Sequence, residues 1–221
     1  MQKEYSVFDI VGPRMIGPSS SHTAGAVRIA HVARHVAHYD VAEVTFTLYG
    51  SFAETGRGHG TDKALIAGVL GMNPDDVRIP DAYRIAREKG ILIEVIFSDK
   101  PVDQPNTARV HIVGKEGKTV DVVGVSVGGG NILITEINGL SVELTGEFPA
   151  VVIRHKDQPG VIAEISGELK NMEMNIVSMK VFRHKKGDDA FMITETDEKV
   201  TDEMADKLRE NCPSILSIFT V

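Results

Sequence analysis

Residues 17–25 read Gly-Pro-Ser-Ser-Ser-His-Thr-Ala-Gly, and they lead directly into an apolar helical pattern that continues to about residue 39. Helix N-termini carry unpaired N–H groups and a partial positive charge, and Ser and Thr are common caps there. The stretch therefore predicts that a carboxylate or phosphate binds Ser20, Ser21, Thr23 and the free N–H groups. His22 would be the acid, the base or an orienting group. The alternative is an ordinary helix cap with a surface histidine.

A second dense stretch covers residues 52–63 (FAETGRGHGTDK) and holds three glycines within five residues. Glycines allow unusual backbone angles, so we predict a loop here, followed by a helix that starts near Thr61 or Asp62. A glycine loop before a helix also suits an anion, which makes Gly60, Thr61 and Asp62 candidates for substrate binding. Thr61 and Asp62 would cap the helix and fix His59. The alternative is a flexible turn.

A triple glycine, residues 128–130, separates two predicted strands. Consecutive glycines cost backbone entropy and usually mark a sharp bend or a close approach, so Gly128 and Gly129 are further candidates for substrate binding. The alternative is a bulge or a hairpin loop.

Composition limits the classes of protein. The chain has 221 residues with 42% hydrophobic and 25% charged residues, which is typical of a soluble globular protein. A net charge of −7 argues against nucleic acid as a partner, and no apolar run has the length of a membrane span. The single cysteine, Cys212, fits a reducing cytoplasm and excludes a cysteine-ligated metal cluster held by this chain alone.

The order of predicted elements indicates an α+β protein of two domains. A brief helical turn is expected over residues 6–15, and helices followed by antiparallel strands then form a first domain over residues 1–147. The pattern restarts over residues 148–221 with the order βαββαβ, which is the ferredoxin-like arrangement.

Taken together, the motifs resemble those of a known family. Residues 16–23 (IGPSSSHT), 49–55 (YGSFAET), 58–62 (GHGTD) and 128–130 (GGG) look like the beta chain of bacterial iron–sulfur-dependent L-serine dehydratase, and the resemblance covers essentially the whole chain. It implies a first domain similar to the allosteric substrate-binding module of some phosphoglycerate dehydrogenases. It also implies a C-terminal ACT domain, which residues 157–160 (DQPG) support.

The resemblance implies an activity, L-serine ammonia-lyase, which converts L-serine to pyruvate and ammonia. It implies a [4Fe–4S] cluster acting as a Lewis acid, held by a separate alpha chain, so that this chain alone is inactive. The expected partners are that alpha chain, L-serine, and a second copy of the chain through ACT pairing. His59 or His22 would be the base, and we rank His59 first because its flanking glycines would allow close approach.

The ACT domain raises a further possibility. Serine-binding relatives use a His and an Asn before Pro-Gly and an Asn in the next strand; His155, Gly160 and Asn175 match, whereas Asp157 stands where relatives have the first Asn. The extra negative charge would repel a ligand carboxylate, so a purely dimerising domain is the alternative.

Two other functions compete with the enzyme subunit. A binding module joined to an ACT domain also suits a non-catalytic, amino-acid-sensing regulatory protein. A nucleotide-binding protein is disfavoured because residues 56–60 lack a phosphate-binding lysine at the usual spacing.

Overall fold

The computed structural model describes residues 13–37, 39–145, 148–183, 187 and 189–220. The predicted helical turn at residues 6–15 lies largely outside these ranges. Two compact units are present, Met1–Gly139 and Leu140–Val221. Residues 140–145 are grouped with the second unit, where Glu143 forms an ion pair with Lys180 and Thr145 hydrogen-bonds Glu195; the domain boundary at residue 147 stays a prediction.

Helices come first in the first unit. Its elements are a π-helical turn (Ser21–Gly25), α1 (Ala26–Ala37), β1 (Val41–Gly50), α2 (Ser51–His59), α3 (Thr61–Val69), a 3₁₀ turn (Ile79–Asp81), α4 (Ala82–Glu88), β2 (Leu92–Phe97), β3 (Asn106–Gly114), β4 (Thr119–Gly128) and β5 (Asn131–Ile137). Helix α1 buries its apolar side, including Val27 and Ile29. It also lies very close to α3, where a Cβ on Gly68 would be 2.4 Å from the carbonyl oxygen of Val27.

Within the first unit the strands are ordered β2-β1-β3-β4-β5. Strand β1 is parallel to β2 and antiparallel to β3, with Gly50 opposite Asn106 and Val41 opposite Gly114. We call the two ends of this sheet the Gly50 end and the Val41 end. The turn between β4 and β5 is also at the Gly50 end, since β4 is antiparallel to β3.

The second unit opens with β6 (Leu140–Leu144) and then has the predicted order of elements. These are β7 (Ala150–Lys156), α5 (Val161–Asn171), β8 (Ile176–Arg183), β9 (Asp189–Thr196), α6 (Asp202–Asn211) and β10 (Ile215–Thr220). The antiparallel sheet order β10-β7-β9-β8 confirms the ferredoxin-like arrangement and the α+β class. Thr201 caps α6 by accepting a hydrogen bond from the backbone N–H of Met204 at 3.3 Å. None of the helices described in either unit combines the length and apolarity needed to cross a membrane.

The glycine loop predicted over residues 52–60 is wrong, because this segment forms helix α2. Phe52 is fully buried and anchors the helix, and a Cβ on Gly56 would lie 3.3 Å from Thr61. Glycine at 56 therefore lets α3 return closely against α2, which outweighs its poor helix propensity. Of the glycines at 56, 58 and 60, only Gly60, with φ of +70°, has the left-handed backbone expected of a junction glycine.

Candidate active site

His22 lies at the Gly50 end of the sheet within a polar enclosure. Its side chain is buried, with only 6% of the residue exposed. The ring Nδ1 is 2.7 Å from Oγ1 of Thr61, and Nε2 is 3.4 Å from Oγ of Ser51. The Phe52 ring meets the imidazole edge-on at 4.9 Å between centroids. The π-helical turn, α2 and α3 therefore fix this one side chain together.

Burial decides the charge of His22. Desolvation lowers its pKa below the usual value for histidine, and the neighbouring His59 lowers it further. The imidazole is therefore neutral near pH 7, with one nitrogen donating and the other accepting. Both of its hydroxyl partners can take either role, so they satisfy either tautomer.

His59 ends helix α2, and its ring centroid is 4.7 Å from that of His22. The His59 Nδ1 is 3.0 Å from the carbonyl oxygen of Thr55. A carbonyl oxygen only accepts, so Nδ1–H donates, and the tautomer of the neutral ring is the one with its lone pair on Nε2. That tautomer suits a general base acting through Nε2.

Thr61 and Asp62 do not act on His59 as predicted. The helix cap of α3 is Gly60, and no side chain completes it. Thr61 is fully buried and bonds His22 instead. Asp62 accepts a hydrogen bond from the hydroxyl of Tyr83 at 2.9 Å. Burial and this carboxylate raise the pKa of Tyr83, so its phenol stays protonated.

The backbone amides of the π-helical turn are not the free anion site that the sequence predicts. Thr23 N–H donates to the carbonyl oxygen of Ser19 at 2.8 Å, and Gly25 N–H donates to that of Ser20 at 2.9 Å. Thr23 itself is 2% exposed, and its hydroxyl is held against the backbone of Gly17. Ser20 and Ser21 are half-buried, so of the three predicted hydroxyl residues they are the more accessible.

The triple glycine forms the hairpin turn between β4 and β5, and its role in substrate binding stays a prediction. Gly128, Gly129 and Gly130 all have positive φ. The Gly130 carbonyl oxygen accepts a hydrogen bond from Nη1 of Arg28 at 2.7 Å, which ties the turn to α1. The turn places Gly128 and Gly129 at the same end of the sheet as His22.

Sequence reasoning missed two hydroxyl residues at this end. Ser51 lies within the motif at residues 49–55, and its contact with His22 has no local sequence signal. Ser126 is 4% exposed, and its hydroxyl has no hydrogen-bond partner in the described part of the chain. Its position in a buried strand next to the triple glycine could have drawn attention to it.

The four ACT candidates do not form one cluster within the chain. His155 pairs with Ala190, which is opposite Arg183 at the end of β8, whereas Asn175 precedes the start of that strand. His155, Asp157 and Gly160 therefore share one end of the sheet, and Asn175 lies at the other, bonded to Asp197.

Local contacts already occupy two of these residues. Asp157 forms an ion pair with Arg183 at 2.7 Å, and hydrogen bonds from Arg183 and from the Gly187 backbone lower its pKa. His155 is 2% exposed, and its Nδ1 donates to the Lys156 carbonyl oxygen at 2.8 Å.

The chain's own residues do not fit an iron–sulfur cluster. No group of three or more His, Cys, Asp or Glu residues that could hold a metal occurs in the described ranges. Cys212 is buried in the second unit, where burial and nearby Glu164 raise the pKa of its thiol to about 11. A thiolate ligand is therefore disfavoured there.

Fold and site define a two-unit α+β protein, with paired histidines in the first unit and a ferredoxin-like second unit. The Serine dehydratase beta chain family matches residues 6–93, and the ACT domain family matches residues 150–213.

Relatives extend the match over the whole chain. The "Probable L-serine dehydratase, beta chain" of Bacillus subtilis (strain 168) is 44% identical over 99% of both chains. The "L-serine dehydratase, beta chain" of Peptoniphilus asaccharolyticus is 38% identical over 91% of both. The "D-3-phosphoglycerate dehydrogenase" of Bacillus subtilis (strain 168) is 30% identical over 71% of this chain and 30% of its own length. The chain belongs to the family of L-serine dehydratase beta chains.

Proposed function

We propose that this chain is the beta subunit of an enzyme that deaminates L-serine to pyruvate and ammonia, together with a cluster-bearing alpha chain. The observation that carries the proposal is the hydrogen bond from Nδ1 of His59 to the Thr55 carbonyl oxygen, which assigns the lone pair of the neutral tautomer to Nε2. The two relatives that match most of the chain are both named beta chains, which supports an alpha-chain partner.

His59 is the proposed base. Its Nε2 takes the α-proton of L-serine, and the electron pair of that C–H bond forms the Cα–Cβ double bond. The β-hydroxyl leaves with its bonding electron pair as hydroxide, which then takes the proton from His59 and becomes water. The resulting aminoacrylate becomes an imine and hydrolyses to pyruvate and ammonia. The imidazolium formed at His59 keeps its Nδ1–H bond to the Thr55 carbonyl oxygen, which stabilises the positive charge.

His22 is the proposed positioning residue for His59. A neutral His22 packs against the His59 ring and adds no like charge when His59 gains its proton. The His22 ring is fixed by hydrogen bonds at both nitrogens, to Thr61 at Nδ1 and to Ser51 at Nε2. Ser20, Ser21, Thr23, Gly128 and Gly129 stay proposed substrate contacts, with Ser20 and Ser21 favoured by their exposure. Gly60 acts as the junction between His59 and Thr61, and Asp62 as an anchor to Tyr83.

The cluster belongs to the proposed partner. A [4Fe–4S] cluster in the alpha chain would supply a Lewis acid for the departing hydroxyl. The single buried cysteine of this chain supports that assignment. Pairing of two copies through ACT domains, an ACT ligand site and a cytoplasmic location also stay proposals.

The ACT domain favours a second candidate, a non-catalytic regulatory protein that senses amino acids. Anaerobic co-purification with the alpha chain, followed by iron analysis and a pyruvate assay with L-serine and L-threonine, separates the two. The pair should contain iron and form pyruvate from L-serine, and the beta chain alone should do neither. A two-chain complex that holds the cluster but does not consume L-serine would contradict the proposal that the chain is an enzyme subunit.

A further inference from the structure

A surface cavity of about 290 Å³ lies at the Val41 end of the first unit's sheet. Val41 lines the cavity, whereas Ser51, which contacts His22, follows Gly50 at the opposite end of the same strand. A strand rises about 3.3 Å per residue, so the cavity is roughly 30 Å from the histidines. A ligand there would not compete with one bound at His59.

Three basic residues and one acidic residue line this cavity: Arg34, Lys89, Lys115 and Asp40. Lys115 pairs with Asp40 at 3.3 Å, which leaves an excess of positive charge. Arg34 donates from Nη1 to the carbonyl oxygen of Tyr39 at 3.0 Å, so the guanidinium is held in place while its other N–H groups face different directions.

Helix dipoles explain only part of this charge. Arg34 is in the last turn of α1 and Lys89 follows α4, and cations are favoured at helix C-termini. Lys115, however, begins the hairpin between β3 and β4 and has no helix end of its own. Three basic residues from separate segments therefore line one cavity.

The remaining lining is aliphatic. Val69 is 3% exposed, and Leu70 and Ile91 are half-buried beside it. Four of the eight lining residues are therefore aliphatic, and small-molecule sites combine apolar surface with a few placed polar or charged groups. A fully hydrated inorganic ion would gain nothing from the aliphatic side chains, but a short hydrocarbon body would.

We propose that this cavity binds a small organic anion, with its carboxylate or phosphate head group on Arg34, Lys89 and Lys115 and its apolar body against Val69 and Ile91. The site is separate from the histidines and does not depend on the proposed activity.

Isothermal titration of the full-length chain with isovalerate and, separately, with inorganic phosphate tests the site. Wild type should bind at least one of the two probes saturably. Tighter binding of isovalerate would assign a carboxylate head group to the natural ligand, and tighter binding of inorganic phosphate would assign a phosphate head group. The double variant Lys89→Gln/Lys115→Gln should bind at least about tenfold more weakly, since charge-assisted hydrogen bonds are lost. Lys170→Gln, an exposed lysine in the second unit, is the matched control and should bind as wild type does.

Thermal melts should show that all variants fold. Absence of saturable binding of both probes to the wild type would overturn the proposal. Equal affinity of the wild type and the folded double variant would overturn it as well.

Discussion

His22 and His59 lie 4.7 Å apart between ring centroids, but their nitrogens face different partners. His22 contacts two hydroxyls, which accept or donate as needed. His59 donates from Nδ1 to a carbonyl oxygen, which only accepts, so the neutral tautomer has its lone pair on Nε2. The sequence predicts both histidines but not this difference, because Thr61 and His22 are 39 residues apart and meet only in the fold.

Replacing Thr61 with Val tests whether the orientation of His22 matters. Thr61→Val keeps the shape of the side chain but removes the hydrogen bond to Nδ1, so we expect kcat of the reconstituted two-chain enzyme to fall about tenfold. The pH profile of kcat/KM should also shift, and Thr61→Ser should restore both. A variant with wild-type kcat and an unchanged profile would show that the bond is only structural.

Buried His22 also predicts a pH dependence of stability. Its pKa is lowered in the folded state, so below the unfolded value of about 6.5 the unfolded chain binds more protons, and the free energy of unfolding decreases as pH falls. Urea unfolding at pH 7.5 and 5.5 should show a smaller decrease for His22→Gln than for wild type. Equal decreases for both proteins would rule out His22 as the source.

At the scale of elements, the two helices α2 and α3, joined at Gly60, show why part of the site could not be predicted. The start of α3 is confirmed at Thr61, because the apolar pattern from Ala64 onward defines it. Helix α2 was missed, because its glycines argue against a helix and the burial of Phe52 that overrides them is tertiary. The βαββαβ order was predictable because each element carries its own local pattern.

Gly58→Ala tests the helical state of α2 directly. A Cβ at Gly58 meets nothing within 4 Å, so alanine should raise the free energy of unfolding by about 0.5–1 kcal/mol. Chemical denaturation measures this change. A destabilised Gly58→Ala variant would indicate a loop instead.

Gly25→Ala is the matched control for Gly58→Ala. Its Cβ would lie 2.2 Å from the hydroxyl oxygen of Ser126, so the free energy of unfolding of this variant should be about 1–3 kcal/mol lower than that of wild type. Gly25→Ala/Ser126→Gly should recover part of that loss, since it removes the clashing side chain.

At the scale of the whole molecule, the two units carry different groups of candidate residues. The first unit holds the paired histidines. The second is an ACT domain, and its four candidate ligand-binding residues are divided between the two ends of its sheet. That separation follows from the predicted βαββαβ order: β7 and β8 are both antiparallel to β9, so the end of β7 and the start of β8 lie at opposite ends of the sheet. The cluster assignment depends on a whole-chain property, the single cysteine.

The central claim is that this chain supplies the base for deamination of L-serine. Pyruvate formation by the two-chain complex carrying His59→Gln tests it most directly, with iron content measured alongside and His111→Gln, on β3 away from the histidines, as the control. We predict that turnover falls at least about 100-fold while iron content stays at the wild-type level, because general base catalysis typically contributes this much. Near-normal turnover, or a change in serine affinity alone, would contradict the claim.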